Sequence, residues 1–290
     1  MRVIGFRSQR TLAAPAELSG VGLITGTRVR VRFQPAPANH GIVFRRIDLP
    51  GSPAVAAHPS AITNTNRRTT LGPATTGVAL TEHVLSALAG LRVDNCLLEV
   101  DGVEPPGFDG SAGRFAELLM RTGIVRQAAQ RPIYAANTTV LAAGNGTTIA
   151  LHPADEPGLR ATYILDYGLA SPIPRQMYTV DVSPESYARE VACCRTFCTE
   201  GEARAMKAIG LAPHLRYADT LVFGSRGPID NKLRFADEPA RHKVLDLLGD
   251  LALCGFDLAG HLVAYRSGHS LNAEMARRLT AEVEGHRQAA

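Results

Sequence analysis

The amino-acid sequence predicts an α+β protein of two similarly built domains that meet along their helices. In each half, strand-like runs precede a helix that stops at a glycine and leads into an apolar strand. The halves also echo each other, since residues 87–93 line up with 252–258 and the match continues from 97–98 to 262–263. This weak repeat supports two equivalent units with a site at their interface.

The first 60 residues are predicted to form strands. Residues 28–33 alternate strictly between charged and apolar side chains, which is typical of a strand with one solvent-exposed face. The glycine-rich residues 20–26 resemble a dinucleotide-binding loop, but the third glycine is one place late and a strand follows instead of a helix. We therefore expect 20–26 to be a strand with a close backbone approach and not a cofactor site.

The rest of the first half is predicted to contain two helices. Residues 83–91 form the first, with Gly90 as its stop, and a short strand follows at 95–100. The second helix, 114–122, comes after a proline- and glycine-rich loop in which Asp109 or Ser111 is available as a cap.

A domain boundary is predicted within residues 127–132, which have no clear periodicity, so that the domains are 1–128 and 129–290. The second half begins with strands in 133–182. It continues with predicted helices at 183–194, 199–209, 239–254 and 271–286, and with a strand at 262–265 followed by a loop at 266–269.

Composition excludes several classes of protein. The formal net charge of +4 suits an anionic small molecule or a membrane-surface encounter and is too small for a nucleic-acid footprint. The five cysteines form no CxxC pair, so we expect reduced thiols, no cysteine-ligated zinc and a cytoplasmic location. Neither a signal peptide nor an apolar run of membrane-spanning length is expected.

The helix at 239–254 carries a candidate metal site. His242, Asp246 and Asp250 are four residues apart and therefore lie along one helical stripe. A His and an Asp one turn apart can both bind one Zn²⁺, which leaves Asp250 to orient a neighbour. The spacing alone is a weak signal, because short motifs of this kind also occur by chance.

A hydrolytic zinc site needs a third ligand and an open position, and His83 of the matching helix can supply that ligand. Glu82 is then a candidate general base, and His269, supported by Asp250, a candidate general acid. Thr196 is a candidate oxyanion donor. Each also has a structural explanation: helix-dipole stabilisation for Glu82 and His83, a loop hydrogen bond for His269, and a helix cap for Thr196.

Motifs along nearly the whole chain occur in the order found in one enzyme family. They include Gln9-Arg10-Thr11-Leu12, Ser19-Gly20-Val21-Gly22-Leu23, Thr81-Glu82-His83, Asp109-Gly110-Ser111-Ala112, Arg195-Thr196-Phe197, Leu233-Arg234-Phe235, His242-Lys243 with Asp246 and Asp250, and Ser267-Gly268-His269. On these residues the chain resembles the UDP-3-O-acyl-N-acetylglucosamine deacetylases, zinc amidases that commit Gram-negative bacteria to lipid A synthesis.

The resemblance implies two α+β domains, each a helix layer against a β-sheet, with the helices sandwiched between the sheets. It also implies zinc, with iron(II) as the alternative metal, a UDP-linked acylated amino sugar as the substrate, and no nucleic acid. We expect a monomer. The implied roles are His83, His242 and Asp246 as metal ligands, Glu82 as base, His269 as acid supported by Asp250, Thr196 as oxyanion donor, Lys243 as a substrate contact near the metal, and Phe197 on the sugar and nucleotide side.

The sequence departs from the family where substrate would bind. The departures are Ile24 in place of a histidine, Cys198 in place of a glycine, an altered loop at 105–108, an altered segment at 213–219, and no lysine between Arg131 and Arg175. Two alternatives therefore stay open: a paralogue with the same chemistry on another N-acetylated amino sugar, and a non-catalytic relative that keeps zinc for structure.

Overall fold

A computed structural model describes residues 1–212, 214–217 and 220–289, without the side chains of 286–289. It confirms the predicted α+β class. The helices are α1 (Glu82–Gly90), α2 (Gly113–Thr122), α3 (Pro184–Glu190), α4 (Glu200–Ala208), α5 (Glu238–Leu251) and α6 (His269–Ala289), with short 3₁₀ turns at Pro59–Ala61 and Ala252–Cys254.

The strands of the described part of the chain belong to two large sheets and two small ones. They are β1 (Arg2–Leu12), β2 (Ala16–Val21), β3 (Arg28–Pro35), β4 (Ile42–Arg46), β5 (Ala54–Ala56), β6 (Ile62–Asn64), β7 (Thr70–Leu71), β8 (Cys96–Val100), β9 (Ile124–Ala135), β10 (Val140–Gly144), β11 (Thr147–His152), β12 (Leu159–Leu165), β13 (Gln176–Val182), β14 (Phe197–Thr199), β15 (Leu221–Gly224), β16 (Gly227–Pro228) and β17 (Asp257–Tyr265).

The two large sheets belong mainly to opposite halves of the chain. The first has the strand order β2-β3-β8-β4-β5. The second runs β1-β9-β17-β11-β10, with β12 paired to β17 and β13 paired to β12. The predicted alternation of β3 is confirmed, because Val29, Val31 and Phe33 are buried while the arginines between them are not. The small sheets are β14-β15-β16 and β6-β7.

Helices α1, α2 and α5 lie between the two large sheets, as predicted. Helix α1 packs along α5, and α5 packs against β12 and β13 of the second sheet. On the other side, Phe115 of α2 contacts Phe33 of β3, with ring centroids 6.2 Å apart. Every residue of α1 except Ala89 is buried, as expected for a helix covered on all sides.

The closest approach of the two halves is at Gly249 of α5. A Cβ atom on Gly249 would lie 2.1 Å from the backbone oxygen of Glu82 in α1, a distance that no side chain tolerates. This glycine therefore allows the two helices that carry the candidate metal ligands to cross at van der Waals distance.

Charged side chains also join the two halves. Arg7 on β1 donates to Asp94 (Nη1–Oδ2, 2.7 Å) and to Asp257 (Nη2–Oδ1, 2.8 Å), and Arg131 on β9 also donates to Asp257 (2.6 Å). Strand β9 pairs with β1 and with β17, and the predicted boundary at 128/129 falls within it. That boundary stays a prediction.

Several predicted elements differ in detail from the structure. Residues 20–26 are a strand only to Val21, and a turn follows because the Glu104 carboxylate accepts hydrogen bonds from the backbone amides of Ile24 and Thr25. Helix α3 ends at Glu190, four residues short of the prediction. None of the described helices combines the length and apolarity that crossing a bilayer requires.

The α2 start and the loop before α6 also differ from the predictions. The residue that caps α2 is Ala112, although Ser111 does accept a hydrogen bond from the amide of Gly113 (3.2 Å). The predicted loop at 266–269 is shorter than expected, since His269 is already the first residue of α6.

Candidate active site

The three candidate metal ligands come together where α1 crosses α5. His83 is the second residue of α1, and His242 and Asp246 occupy successive turns of α5. The Nε2 atoms of His83 and His242 lie 3.7 and 3.3 Å from Oδ1 of Asp246, and all three side chains are buried. One donor atom from each lies within 4.8 Å of the other two.

This donor set fits a metal ion. The Oδ1 atom of Asp246 is buried and has no hydrogen-bond partner among the described residues. The Nδ1 atom of His242 lies 3.0 Å from the backbone oxygen of Cys194, an arrangement that fixes the ring and turns Nε2 toward Asp246. Two imidazoles and one carboxylate form a set that Zn²⁺ binds with an open fourth position.

Burial and charge separate the proton affinities of these ligands. Burial lowers the pKa of His242 to about 4, so its ring is neutral and able to bind metal. Burial acts in the opposite sense on Asp246, but the charges of His242 and Lys243 outweigh it and hold the pKa of this carboxyl well below its usual range. The metal-binding atoms of His242 and Asp246 are therefore deprotonated at neutral pH.

His269 lies beside this group and is held by a second carboxylate. Its Nδ1 atom is 2.9 Å from Oδ2 of Asp250, and its Nε2 atom is 3.9 Å from both Glu82 Oε1 and Asp246 Oδ2. Burial lowers the proton affinity of this ring, but the charges of Asp250 and Glu82 raise its pKa overall to about 9. His269 is thus cationic at neutral pH.

Glu82 is fully buried at the start of α1. Its Oε2 atom accepts a hydrogen bond from the backbone amide of Thr69 (3.0 Å), and its Oε1 atom lies 3.9 Å from His269 Nε2. Burial raises the pKa of Glu82, and the positive charge of His269 opposes that rise. A carboxyl in such surroundings has an increased affinity for a proton, as a general base requires.

Lys243 and Phe197 form one wall of the site. Lys243 Nζ donates to Asp246 Oδ2 (2.7 Å) and lies 5.7 Å from the centroid of the Phe197 ring. Burial alone lowers the pKa of Lys243, but the Asp246 charge raises it overall. Phe197 also contacts His242 and Tyr167 edge to face.

Thr196 is positioned by a tight contact with the loop before α2. Its backbone amide donates to the oxygen of Gly110 (2.8 Å). Gly110 has a φ of +77°, and a Cβ atom there would lie 2.5 Å from Thr196 Cγ2. Only glycine meets both conditions, so the Asp-Gly-Ser segment holds Thr196 at the edge of the site.

These residues open into a cavity of about 850 Å³. Eight of the nine predicted site residues line it, namely Glu82, His83, Thr196, Phe197, His242, Lys243, Asp246 and His269. Asp250 lies behind His269 and is fully buried. The structure thus brings all nine predicted site residues together, and their roles stay predictions.

Three of the departures from the family also line the cavity. They are Ile24, Cys198 and, from the altered 213–219 segment, Leu215. Pro213, Ala218 and Asp219 of that segment lie outside the described residues. In the region between Arg131 and Arg175, which has no lysine, the lining residues are Gly144, Asn145, Thr147 and Tyr167.

Two polar residues of the site were missed by the sequence reasoning. Thr69 donates its hydroxyl to Asp250 Oδ1 (2.5 Å), and Asn272 donates to Asp250 Oδ2 (2.8 Å). Together they hold Asp250, and Thr69 also holds Glu82. No periodicity marks Thr69, because it lies in an irregular segment before β7, whereas Asn272 is one helical turn after His269 and could have been found by that spacing.

Comparison with known proteins supports an enzymatic site. The model of the family described as UDP-3-O-acyl N-acetylglycosamine deacetylase matches residues 9–281.

Individual relatives cover nearly the same length. A UDP-3-O-acyl-N-acetylglucosamine deacetylase from Thermosynechococcus vestitus is 40% identical over 270 residues, which are 93% of each chain. The enzyme of that name from Nostoc sp. is 37% identical over 278 residues, 94% of this chain and 98% of the relative. The one from Myxococcus xanthus is 35% identical over 95% of this chain and 87% of its own.

Proposed function

Because this chain belongs to the UDP-3-O-acyl N-acetylglycosamine deacetylase family, it is a deacetylase of lipid A biosynthesis, and we propose a zinc-dependent mechanism for its site. The reaction is hydrolysis of the N-acetyl group of a UDP-linked, 3-O-acylated glucosamine. The observation that carries the mechanism is that buried His269 lies 3.9 Å both from Glu82 and from Asp246 of the His83–His242–Asp246 group. The confirmed family agrees with the resemblance stated from the sequence.

His83, His242 and Asp246 are the proposed zinc ligands. Two neutral imidazoles and a carboxylate match the ligand preference of Zn²⁺, although iron(II) accepts the same donors. A zinc ion bound there supplies Lewis acidity, which polarises an amide carbonyl and makes water more acidic. Lys243 keeps the second oxygen of Asp246 occupied, so Asp246 presents a single oxygen to the metal.

Glu82 is the proposed general base. Its Oε1 atom faces the ligand group while Oε2 is held by the Thr69 amide, so the carboxylate has one oxygen free to take a proton from water. Burial raises the pKa of Glu82 and thereby strengthens it as a base. The oxygen of the water adds to the acetyl carbon in this step.

His269 is the proposed general acid. Asp250 and Glu82 keep it protonated, and its Nε2 atom faces the same space as Glu82. Breaking the C–N bond transfers a proton to the amine nitrogen, and acetate is released. Thr196 and Lys243 can donate to the developing oxyanion from the cavity wall, and Phe197 offers a ring face to the sugar and nucleotide side.

The oligomeric state and the location of the enzyme are also proposals. All three metal ligands belong to one chain, which supports a site complete within a monomer. The net charge of +4 supports a peripheral encounter with an anionic membrane surface, where an acylated substrate partitions. A cytoplasmic location is supported by five cysteines that are all free in the structure.

A paralogue with another N-acetylated amino sugar as substrate is the second candidate. Ile24 and Cys198 line the cavity at positions where the family resemblance implies a histidine and a glycine. The polar contacts to substrate at these positions therefore differ from those of the family. A non-catalytic relative is disfavoured, because burying the charged side chains of Glu82 and His269 costs free energy. Catalysis gives a reason for that cost, whereas a structural zinc site does not need these two side chains.

Acetate release by the zinc-loaded protein tests this function. The substrate is UDP-3-O-acyl-N-acetylglucosamine of several acyl lengths, and the control is His83→Ala. We expect release that depends on His83. No release while one equivalent of zinc is bound would contradict this substrate and favour another N-acetylated amino sugar.

A further inference from the structure

Arg68 is a cation of the active-site cavity that the mechanism does not use. It lines the cavity and is half-buried. Its Nε atom is fully buried and has no hydrogen-bond partner among the described residues. A buried donor of a charged group without a partner is costly, and an anion that binds the guanidinium offsets that cost.

The other lysine and arginine residues of the described cavity lining are either paired or exposed. Lys243 binds Asp246 (2.7 Å), and Arg266 binds Asp166 (3.0 Å). The neighbouring Arg67 binds Glu202 of α4 (3.2 Å). Arg277 is exposed to solvent and bears no comparable cost. Among the cations of the described cavity lining, Arg68 is therefore the one whose pairing with an anion is most favourable.

The position of Arg68 in the chain points to the reacting end of the substrate. Thr69, the next residue, donates its amide to Glu82 and its hydroxyl to Asp250. Arg68 is thus the neighbour in the chain of Thr69, which holds both the proposed base and the partner of the proposed acid. It belongs to the first half of the chain, whereas Lys243 and Phe197, which line the same cavity, belong to the second.

Hydrolysis of the acetamide creates a new anion at this place. The water oxygen joins the acetyl carbon, the C–N bond breaks, and both water protons pass to the amine, so the products are an ammonium group and acetate. Acetate is formed in the cavity that Arg68 also lines, so the positive charge of Arg68 attracts it there. A guanidinium is the side chain that best binds a carboxylate, through two parallel hydrogen bonds.

We propose that Arg68 is a carboxylate-binding residue that holds the released acetate within the cavity. This inference rests on the proposed amide hydrolysis. It assigns to Arg68 a contact with product and not with the nucleotide or the sugar.

Acetate binding to the metal-free protein tests the proposal without activity. Line broadening of ¹³C-labelled acetate in NMR measures its affinity for wild type, Arg68→Gln and Arg68→Lys after treatment with a chelator. We expect Arg68→Gln to weaken binding about tenfold or more, the loss typical of a hydrogen-bonded charge, and Arg68→Lys to weaken it less. Arg114→Gln, an exposed arginine of α2 paired with Glu117, is the matched control and should bind acetate as wild type does.

Product inhibition of the zinc-loaded enzyme provides the second measurement. The inhibition constant for acetate should rise in Arg68→Gln by the same factor, while KM for the nucleotide substrate stays unchanged. Equal acetate affinity in wild type and Arg68→Gln would overturn the proposal. A rise in KM and weaker UDP inhibition with unchanged acetate affinity would overturn it too, because Arg68 would then bind the diphosphate. If wild type releases no acetate from any N-acetylated sugar, the proposed function fails, whereas the metal-free binding measurement still decides the role of Arg68.

Discussion

Glu82 and Asp246 are both buried carboxylates of the same site, yet their pKa values move in opposite directions. Burial raises both, and only the neighbours differ. Asp246 is bound by Lys243 and lies beside His242, so positive charge stabilises its ionised form. Glu82 has a backbone amide as its main hydrogen-bond partner, so burial prevails. One residue is thereby suited to ligate a metal and the other to accept a proton.

Glu82→Gln should separate these two roles. The amide keeps the hydrogen bond to Thr69 but cannot accept a proton, so kcat should fall about 10²- to 10⁴-fold, the usual contribution of a general base. Zinc content by metal analysis should stay near one equivalent, since Glu82 is not a proposed ligand. His83→Ala is the contrasting variant, in which zinc should be lost. Unchanged turnover in Glu82→Gln would show that another group is the base.

The crossing of α1 and α5 is the feature of the secondary structure on which the site depends. The helical spacing of His242, Asp246 and Asp250 was evident in the sequence, and it correctly predicted one stripe of α5. The start of α6 was predicted two residues late, since Gly268 suggested a loop. Residues 20–26 were wrongly predicted as a strand, because the turn there depends on Glu104, about eighty residues away in the chain.

Gly249→Ala should damage the crossing and the metal site together. The new Cβ atom would overlap the Glu82 backbone oxygen, so the helices must separate at a cost of about 1–3 kcal/mol in the free energy of unfolding. Zinc affinity, measured by competition with a chelator, should fall as well, because His83 lies one residue from the overlap.

Gly285→Ala is the matched control for that variant. Gly285 is an exposed residue of α6 with free space around it, so alanine should stabilise the protein by about 0.4–1 kcal/mol and leave zinc affinity unchanged. Wild-type stability and zinc affinity in Gly249→Ala would show that the helices do not need this close contact.

At the scale of the whole molecule, one hydrophobic cluster extends through both halves. It includes Phe33 and Leu98 of the first sheet, Leu88 of α1, Leu247 of α5 and Leu262 of β17. At the edge of this cluster, Arg7 and Arg131 bind Asp257 across the halves. Burial raises the proton affinity of Asp257, but the two arginines lower its pKa overall.

Asp257→Asn should therefore destabilise the protein in a pH-dependent way. At pH 7 the loss should be about 1–3 kcal/mol in urea unfolding, the range for a hydrogen bond to a charged group. Since the folded-state pKa is depressed, this stabilisation is present above the unfolded pKa of about 3.9 and is lost as the pH falls through the folded value. The difference between wild type and variant should thus shrink below about pH 4.

Asp181→Asn is the control, because Asp181 pairs with Arg160 at the exposed surface. This variant should have no measurable effect on the free energy of unfolding, either at pH 7 or below about pH 4. A constant difference between wild type and Asp257→Asn from pH 7 to pH 3 would mean that packing, and not charge, accounts for the loss.

The sequence by itself determined the fold class and the repeat of helix and strand in two halves, and it picked out the nine candidate residues that the structure brings together. These follow from periodic patterns and short motifs, which depend on residues near each other in the chain. The tertiary structure alone decided the hydrogen bonds of Thr69 to Glu82 and Asp250, the unpaired donor of Arg68, and the opposite pKa shifts of Glu82 and Asp246. Burial and electrostatic pairing depend on distances between atoms far apart in the chain, and no local pattern encodes those distances.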